Sequence, residues 1–278
     1  MADLPPLFVF SLAALFGLVV GSFLNVCIYR VPRDLSIVRP RSFCPSCNTP
    51  IAWYDNIPVF SFLLLRGRCR DCRARVGKSY VLVELITAIT FVAVTKIYGL
   101  SLPAVKWMVY ECLLIILFWT DWQERILPDE FTIGGSLLGV TSAFFVYVPG
   151  VLGEILLSNP GWRSASLVNA VGGAMFASLP IWLLGLLYAK LRGREGLGLG
   201  DVKLLLLIGA FLGPENALSA LTLGATGGAI LGVILILLRR KQALSYELPF
   251  GSFLCAAGYF IPLISRLRLD LGALPRVG

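Results

Sequence analysis

The segment that decides the fold is the run LFVFSLAALFGLVVGSFLNVCIY at residues 7–29, which contains no charged side chain. A helix needs about 20 apolar residues to cross a hydrocarbon core of about 30 Å, so this run is long enough to span a membrane. The preceding residues, MADLPP, include Asp3 but no lysine or arginine, and no small-residue cleavage site follows the run. We therefore expect a permanent membrane helix here and not a cleaved signal peptide.

Seven more apolar runs follow, at residues 80–98, 103–119, 131–152, 166–190, 202–212, 217–238 and 248–265. Hydrophobic residues make up 57% of the 278-residue chain and charged residues only 14%, which is typical of membrane proteins. The sequence predicts an all-α polytopic membrane protein with eight spans. The run at 202–212 is too short to cross alone, so it must tilt, thin the bilayer or extend into the glycine-rich segment before it.

Residues 30–79 form the one long polar stretch and carry ten of the lysines and arginines. We divide the chain into a first membrane helix at 1–29, a cytoplasmic domain at 30–79 and a membrane domain at 80–278. Cytoplasmic loops are enriched in Lys and Arg, and with 30–79 inside the cell 18 of the 24 basic residues are cytoplasmic. Both termini then lie outside.

The net charge of +8 is explained by this topology together with attraction to anionic lipids of the cytoplasmic leaflet. The basic stretch contains no nucleic-acid readout motif, so we expect no nucleic-acid partner.

Two cysteine pairs, Cys44-Pro-Ser-Cys47 and Cys69-Arg-Asp-Cys72, have the spacing of a tetrahedral zinc site. A cytoplasmic location keeps thiols reduced, which makes disulfides the weaker explanation. Four sulfur ligands leave no open position for a catalytic water, so the zinc is expected to be structural.

Acidic residues at the edges of membrane helices are costly and are therefore functional candidates. Asp121 ends the third span and Asp201 opens the sixth, which puts both on the same membrane face. Two carboxylates that share a proton can activate water and protonate a scissile amide. Position alone leaves alternatives open, because Asp201 could instead cap its helix and Asp121 could be a solvated helix end.

The segment around Asp201 contains Gly198, Gly200 and Lys203. No strand precedes these glycines, so a phosphate-binding loop is not indicated. Instead they allow unusual backbone angles and let a substrate approach closely. Lys203 could tune the carboxylates, although a cation that reaches out to the membrane surface is the simpler interpretation.

Three further acidic residues lie at or near membrane helices, outside this pair. Asp129 follows a proline and suits a helix N-cap. Glu111 lies near the middle of the third span, about 15 Å along the helix from Asp121, and could hold helices together. Glu84 is close to the polar domain and is harder to explain by structure alone.

Six short segments follow one another in order along nearly the whole chain. They are GSFLNVCIYRVP at 21–32, NIP at 56–58, YVLVEL at 80–85, DWQERILPD at 121–129, GLGDVK at 198–203 and PFG at 249–251. Together with the cysteine pairs, this series closely resembles bacterial prepilin leader peptidases, intramembrane aspartic proteases with a G-x-G-D motif. Ser252 departs from the family pattern, in which proline is usual at that position.

The resemblance implies that Asp121 and Asp201 are the catalytic carboxylates. It implies cleavage after a glycine at the cytoplasmic boundary of type IV prepilins and type II secretion pseudopilins. Methylation of the new N-terminal residue by S-adenosylmethionine would follow. Glu84 and Gly67 are the candidate methylation residues, and Gly198, Gly200 and Lys203 form the substrate loop.

Two other classes of function fit parts of the sequence. A transporter or channel with a zinc-stabilised regulatory loop would also carry carboxylates in its spans, and a non-enzymatic assembly platform is a further alternative. A carrier, however, should place its ionisable groups near the membrane midplane, where only Glu111 is expected. The two carboxylates on one membrane face favour the peptidase.

Overall fold

The computed structural model describes residues 5–158, 161–193, 198–238 and 249–272. Its helices are α1 Pro6–Arg30, α2 Phe60–Leu64, α3 Lys78–Tyr98, α4 Leu102–Glu124, α5 Asp129–Ser142, α6 Leu152–Leu156, α7 Trp162–Arg192, α8 Leu199–Leu212, α9 Pro214–Leu238 and α10 Phe250–Gly272. Within these residues no β-strand forms, and only two isolated backbone bridges occur. Of the basic residues counted above as cytoplasmic, Arg194, Arg239, Arg240 and Lys241 lie outside the described residues.

By length and composition, five helices in the described part of the chain could cross a membrane, namely α1, α3, α4, α7 and α9. The 14-residue helices α5 and α8, together with α10, lie where the other three spans were expected. The prediction of an all-α polytopic membrane protein is confirmed. Its division into domains at residues 29 and 79 stays a prediction.

The predicted fourth span, residues 131–152, was wrong in extent, because α5 ends at Ser142. A loop follows in which Val148 is fully buried. Two side chains of α7 satisfy its backbone: Asn169 donates to the carbonyl oxygens of Val148 and Gly150, and Ser166 accepts the Val148 N–H. Non-helical backbone at membrane depth is tolerated where protein groups bind it, and hydropathy alone cannot detect this.

The chain divides into two compact units, Met1–Ile116 and Leu117–Gly278. In the first unit α1 and α3 pack with their backbones in close contact. A Cβ added at Gly17 would lie 2.6 Å from Ala88 Cα, and one at Gly21 would lie 2.7 Å from Glu84 Cα. Small residues four apart let membrane helices approach in this way. A hydrogen bond also joins the two helices, because the Nδ2 atom of Asn25 donates to the Tyr80 carbonyl oxygen at 2.9 Å.

The second unit is built around α8, whose residues from Leu204 to Leu212 are buried apart from Leu206. Its 14 residues extend about 21 Å, less than the thickness of a hydrocarbon core. Neighbouring helices cover it: α7 crosses it at Gly173 and Gly209, and α5 contacts it at Gly139. A helix that is apolar on every face is stable when it is enclosed by protein, and this explains how so short a helix is accommodated.

Candidate active site

Asp121 lies in the last two turns of α4 and is buried, with 6% of its surface exposed. Its Oδ2 atom accepts two hydrogen bonds from Ser252 near the start of α10, one from the backbone N–H at 2.5 Å and one from Oγ at 2.7 Å. The Ser252 Oγ atom is also 3.2 Å from the Phe118 carbonyl oxygen. A hydroxyl has one hydrogen, so the shorter contact with the carboxylate is the stronger one. Asp121 is therefore not a solvated helix end.

Asp201 is the third residue of α8 and is partly buried. The N-cap of this helix is Gly198, and no side chain forms a capping hydrogen bond. The alternative interpretation of Asp201 as an N-cap is thus wrong. Among the residues that the structure describes, none donates a hydrogen bond to its carboxylate.

The structure brings these two carboxylates together. Their negative charges act on each other, and both act on the buried thiol of Cys255 in α10. The Leu127 side chain packs beside both segments: a Cβ added at Gly200 would lie 3.2 Å from Leu127 Cδ1, and one added at Gly251 would lie 2.9 Å from the same atom. The end of α4 and the starts of α8 and α10 therefore meet at one place.

Gly251 also packs directly against Asp121. A Cβ at this position would lie 3.1 Å from both the Cγ and the Oδ2 atoms of Asp121. Contacts this short require the neighbouring atoms to give way, so a side chain here would displace the carboxylate.

The glycines before Asp201 do not serve the conformational role expected of them. Gly198 has φ −68° and ψ 132°, which any residue adopts, and Gly200 lies in the first turn of α8. The expectation of unusual backbone angles at these two glycines was wrong. The steric expectation holds for Gly200, because Leu127 fills the space where its side chain would lie.

Lys203 binds Asp129 at the start of α5, with Nζ 2.7 Å from Oδ1 and 2.9 Å from Oδ2. The N-cap of α5 is Pro128, so the expectation that Asp129 caps the helix was wrong. Both side chains of this ion pair are accessible to solvent, and the interpretation of Lys203 as a cation that reaches out to the membrane surface stays a prediction. This ion pair links the starts of α5 and α8.

The four cysteines of the two pairs come together, with all sulfur atoms within 4.8 Å of one another. Each pair lies in a similar turn. The Cys44 N–H donates to the Thr49 carbonyl oxygen and the Cys69 N–H donates to that of Ala74, and the residue after each second cysteine has a positive φ. Cys44 Sγ lies 3.8 Å from Cys72 Sγ, far beyond a disulfide bond. The cluster could therefore hold one metal ion.

Thr49 favours metal binding by Cys47. Hydrogen bonds with the side chain and the backbone of Thr49 lower the pKa of the Cys47 thiol to about 6. This thiol is therefore largely ionised at neutral pH, which is the form that binds a metal.

Glu84 and Gly67 line the same cavity of about 420 Å³, which Cys44 and Cys69 also line. Glu84 is buried, and its Oε2 atom accepts the Val59 N–H at 2.8 Å. Val59 has φ +59°, an unfavourable conformation for a β-branched residue, and this hydrogen bond supports it. Gly67 has φ +66°, and a Cβ there would lie 2.8 Å from Phe62 Cζ, so glycine is required on both grounds.

Asp55 also lines this cavity, and the Arg70 side chain donates to its two carboxylate oxygens at 2.6 and 2.7 Å. The hydrogen bonds from Arg70 lower the pKa of Asp55.

Glu111 is buried in α4, and its Oε2 atom makes no hydrogen bond to the part of the chain that the structure describes. That oxygen does not provide the interhelical hydrogen bond expected of this residue.

Sequence reasoning missed three residues of the site: Ser252, Leu127 and Cys255. Ser252 directly follows the Pro-Phe-Gly segment, and its departure from the expected proline was the one available signal. Leu127 and Cys255 look like ordinary apolar residues of a membrane protein, and only the packing of separate helices reveals their position.

Comparison with known proteins gives two family matches. Residues 15–98 match the bacterial peptidase A24 N-terminal domain, and residues 108–233 match the type IV leader peptidase family. No solved structure matches the chain.

Similar proteins include the prepilin leader peptidase/N-methyltransferase of Aeromonas hydrophila, which is 36% identical over 91% of this chain and 90% of the relative. The protein of the same description from Neisseria gonorrhoeae is 33% identical over 94% of this chain and 93% of the relative. The protein of the same description from Pseudomonas aeruginosa is 33% identical over 88% of this chain and 87% of the relative.

Proposed function

The chain belongs to the type IV leader peptidase family, and we propose that Asp121 and Asp201 are the carboxylates with which it cleaves the leader of type IV prepilins and type II secretion pseudopilins. The enzyme also N-methylates the new amino terminus, as the names of its relatives indicate. The observation that carries the proposal is that the end of α4, with Asp121, and the start of α8, with Asp201, meet around Leu127. The similar proteins give no support to a transporter.

The reaction is hydrolysis of a peptide bond with one proton shared by the dyad. One carboxylate takes a proton from water as the water oxygen bonds to the scissile carbonyl carbon, and the other gives its proton to the carbonyl oxygen. The first then protonates the amide nitrogen as the C–N bond breaks, while the second recovers a proton from the geminal diol. Burial of Asp121 limits competing bulk water and strengthens these electrostatic interactions.

Replacing either aspartate with asparagine tests this assignment. Asp121→Asn and Asp201→Asn should each lower cleavage of a purified prepilin by at least about a thousandfold, and the double variant should be little worse because the two act as a unit. Glu130→Gln is the matched control, since Glu130 is exposed at the start of α5, and it should cleave normally. Substantial cleavage by either folded Asn variant would remove that residue from catalysis.

The enzyme is a multi-pass protein of the bacterial inner membrane, with residues 30–79 and the dyad facing the cytoplasm and both termini outside. The 18 basic residues in the proposed cytoplasmic segments support this orientation. They also favour contact with anionic lipids of the cytoplasmic leaflet.

The metal at the cysteine cluster is zinc. Four sulfur atoms about 2.3 Å from a central Zn²⁺ in tetrahedral geometry lie about 3.8 Å apart, and the Cys44–Cys72 sulfur distance of 3.8 Å fits this arrangement. Cys44, Cys47, Cys69 and Cys72 would hold the ion. Its role is to fix the fold of residues 30–79, since four thiolates leave no position open for substrate.

S-adenosylmethionine binds in the cavity that Glu84 and Gly67 line. The volume of about 420 Å³ falls within the range of small-ligand sites, and the lining offers tyrosine rings and carboxylates suited to a sulfonium cation. When bound, the cofactor would supply the methyl group for the substrate's neutral amine. Glu84 contributes negative charge near that amine, and Gly67 keeps the cavity wall in place.

Glu84→Gln separates the two activities. Glutamine keeps an oxygen that can accept the Val59 N–H but removes the charge. Methylation of an already cleaved pilin peptide should fall at least about tenfold while leader cleavage continues, because a hydrogen-bonded charge contributes about 1.5–3 kcal/mol. Glu154→Gln, at an exposed position in α6, is the control. Equal loss of both activities, or normal methylation, would argue against this site.

A further inference from the structure

We propose that Ser252 determines which of the two carboxylates is the base. By donating two hydrogen bonds to Asp121 it keeps that carboxylate ionised, so that the shared proton resides on Asp201. This inference rests on the proposed catalytic dyad and adds a division of labour between its members. Ser252 is a positioning residue, since it acts through Asp121 and does not contact the substrate.

The carboxylates of Asp121 and Asp201 differ in the hydrogen bonds that they accept. Both donors of Ser252 converge on the Oδ2 atom of Asp121, at 2.5 and 2.7 Å. In contrast, no donor within the described ranges reaches the carboxylate of Asp201. Hydrogen bonds to the charged form favour that form, and therefore the negative charge is stabilised on Asp121.

Ser252 is the third residue of α10. The N–H groups of a first helical turn have no partner within the helix, so this N–H is free to bind Asp121 without disrupting α10. The arrangement depends on serine at this position, because it uses both the backbone N–H and the hydroxyl.

Asp121 faces the following charged and titratable groups within the described residues. From α8 it faces Asp201, and from α10 it faces Cys255. Lys203, further along α8, is bound to Asp129 of α5. The other charged residues nearby are Glu124 and Arg125, which follow Asp121 by about one turn.

This arrangement determines which carboxylate takes and which gives a proton at each step of the reaction. Asp121 takes a proton from the attacking water while Asp201 gives its proton to the carbonyl oxygen. Asp121 then protonates the leaving nitrogen as the C–N bond breaks, and Asp201 recovers a proton from the geminal diol. The dyad returns to its starting state, with Asp121 ionised.

The test is the pH profile of kcat for leader cleavage at saturating prepilin, in purified Ser252→Ala, Ser252→Pro and Ser252→Thr enzymes. Losing one donor should make Asp121 easier to protonate, moving the acid limb of the Ser252→Ala profile about one pH unit higher. Ser252→Pro should move it further, because both donors are lost. Ser252→Thr keeps both donors and should retain the wild-type profile.

Ser178→Ala is the matched control, because Ser178 is also buried in the second unit and, within the described ranges, its Oγ binds the Ala174 carbonyl oxygen alone. It should leave the acid limb unchanged. Two results would overturn the proposal for Ser252, provided that Asp121→Asn is inactive. One is an equal loss of rate at every pH in the Ser252→Ala and Ser252→Pro enzymes, and the other is an unmoved acid limb. Cleavage by Asp121→Asn would instead overturn the dyad and this inference with it.

Discussion

The crossing of α7 and α8 offers a sharp test of how the fold positions Asp201. The two helices touch backbone to backbone, and a Cβ added at Gly209 would lie 2.2 Å from the Gly173 carbonyl oxygen and 2.7 Å from Ala174 Cα. The first contact is 1.2 Å shorter than the 3.4 Å at which ordinary van der Waals contact begins. Gly209→Ala must therefore push the helices apart by about 1 Å, because a backbone oxygen cannot rotate away as a side chain can.

Two effects should follow from this displacement. Overpacking costs about 3 kcal/mol at the upper end of its usual range, and the better helix propensity of alanine offsets about 1 kcal/mol, which leaves a loss of about 2 kcal/mol. The shift also carries Asp201 relative to Asp121, and a misplacement of about 1 Å can lower a rate about a hundredfold.

The assay compares leader cleavage and thermal unfolding of the detergent-solubilised variant with those of Gly134→Ala. Gly134 lies in α5 with no atom within 4 Å of an added Cβ, so this control should cleave normally and unfold at the same or a slightly higher temperature. A Gly209→Ala enzyme with wild-type rate and stability would refute the reasoning about the crossing.

Three further predictions concern residues 30–79 and the topology. Elemental analysis of washed protein should find one zinc per chain, and Cys47→Ser should lose it and loosen residues 30–79; a metal-free protein whose Cys44 and Cys69 are freely alkylated would contradict this. Arg70 lowers the pKa of Asp55, so the stability that this pair contributes should be present above about pH 4 and lost as the pH falls below it. In an acid unfolding series, Asp55→Asn should remove that pH dependence. Reporter fusions after residues 75 and 160 should report opposite sides of the membrane, and the same side for both would refute the topology.

The sequence alone determined the class of fold, the cysteine cluster and the identity of the candidate carboxylates. Hydropathy is a local property, so runs of 17 or more apolar residues revealed membrane helices without knowledge of their partners. The cysteine pairs were equally clear, because the ligands within each pair are only three residues apart and a tight turn brings them together.

Hydropathy did not predict the structure of segments that are buried by protein and not by lipid. The run at residues 131–152 is apolar throughout, yet its second half is a loop whose backbone depends on Asn169 and Ser166 of α7. The short α8 was recognised as a problem, but its enclosure by other helices depends on small residues such as Gly173 and Gly139, which come from separate parts of the chain.

The hydrogen bonding of the candidate site was decided by tertiary structure alone. Asp121 and Ser252 are 131 residues apart, and no periodicity or local motif specifies that the N-terminus of α10 should donate to the end of α4. The partner of Lys203 is likewise set by how α5 and α8 pack together. Side-chain chemistry can be read directly from the sequence, but which groups stabilise a charge depends on contacts between distant segments, and these exist only once the helices have packed.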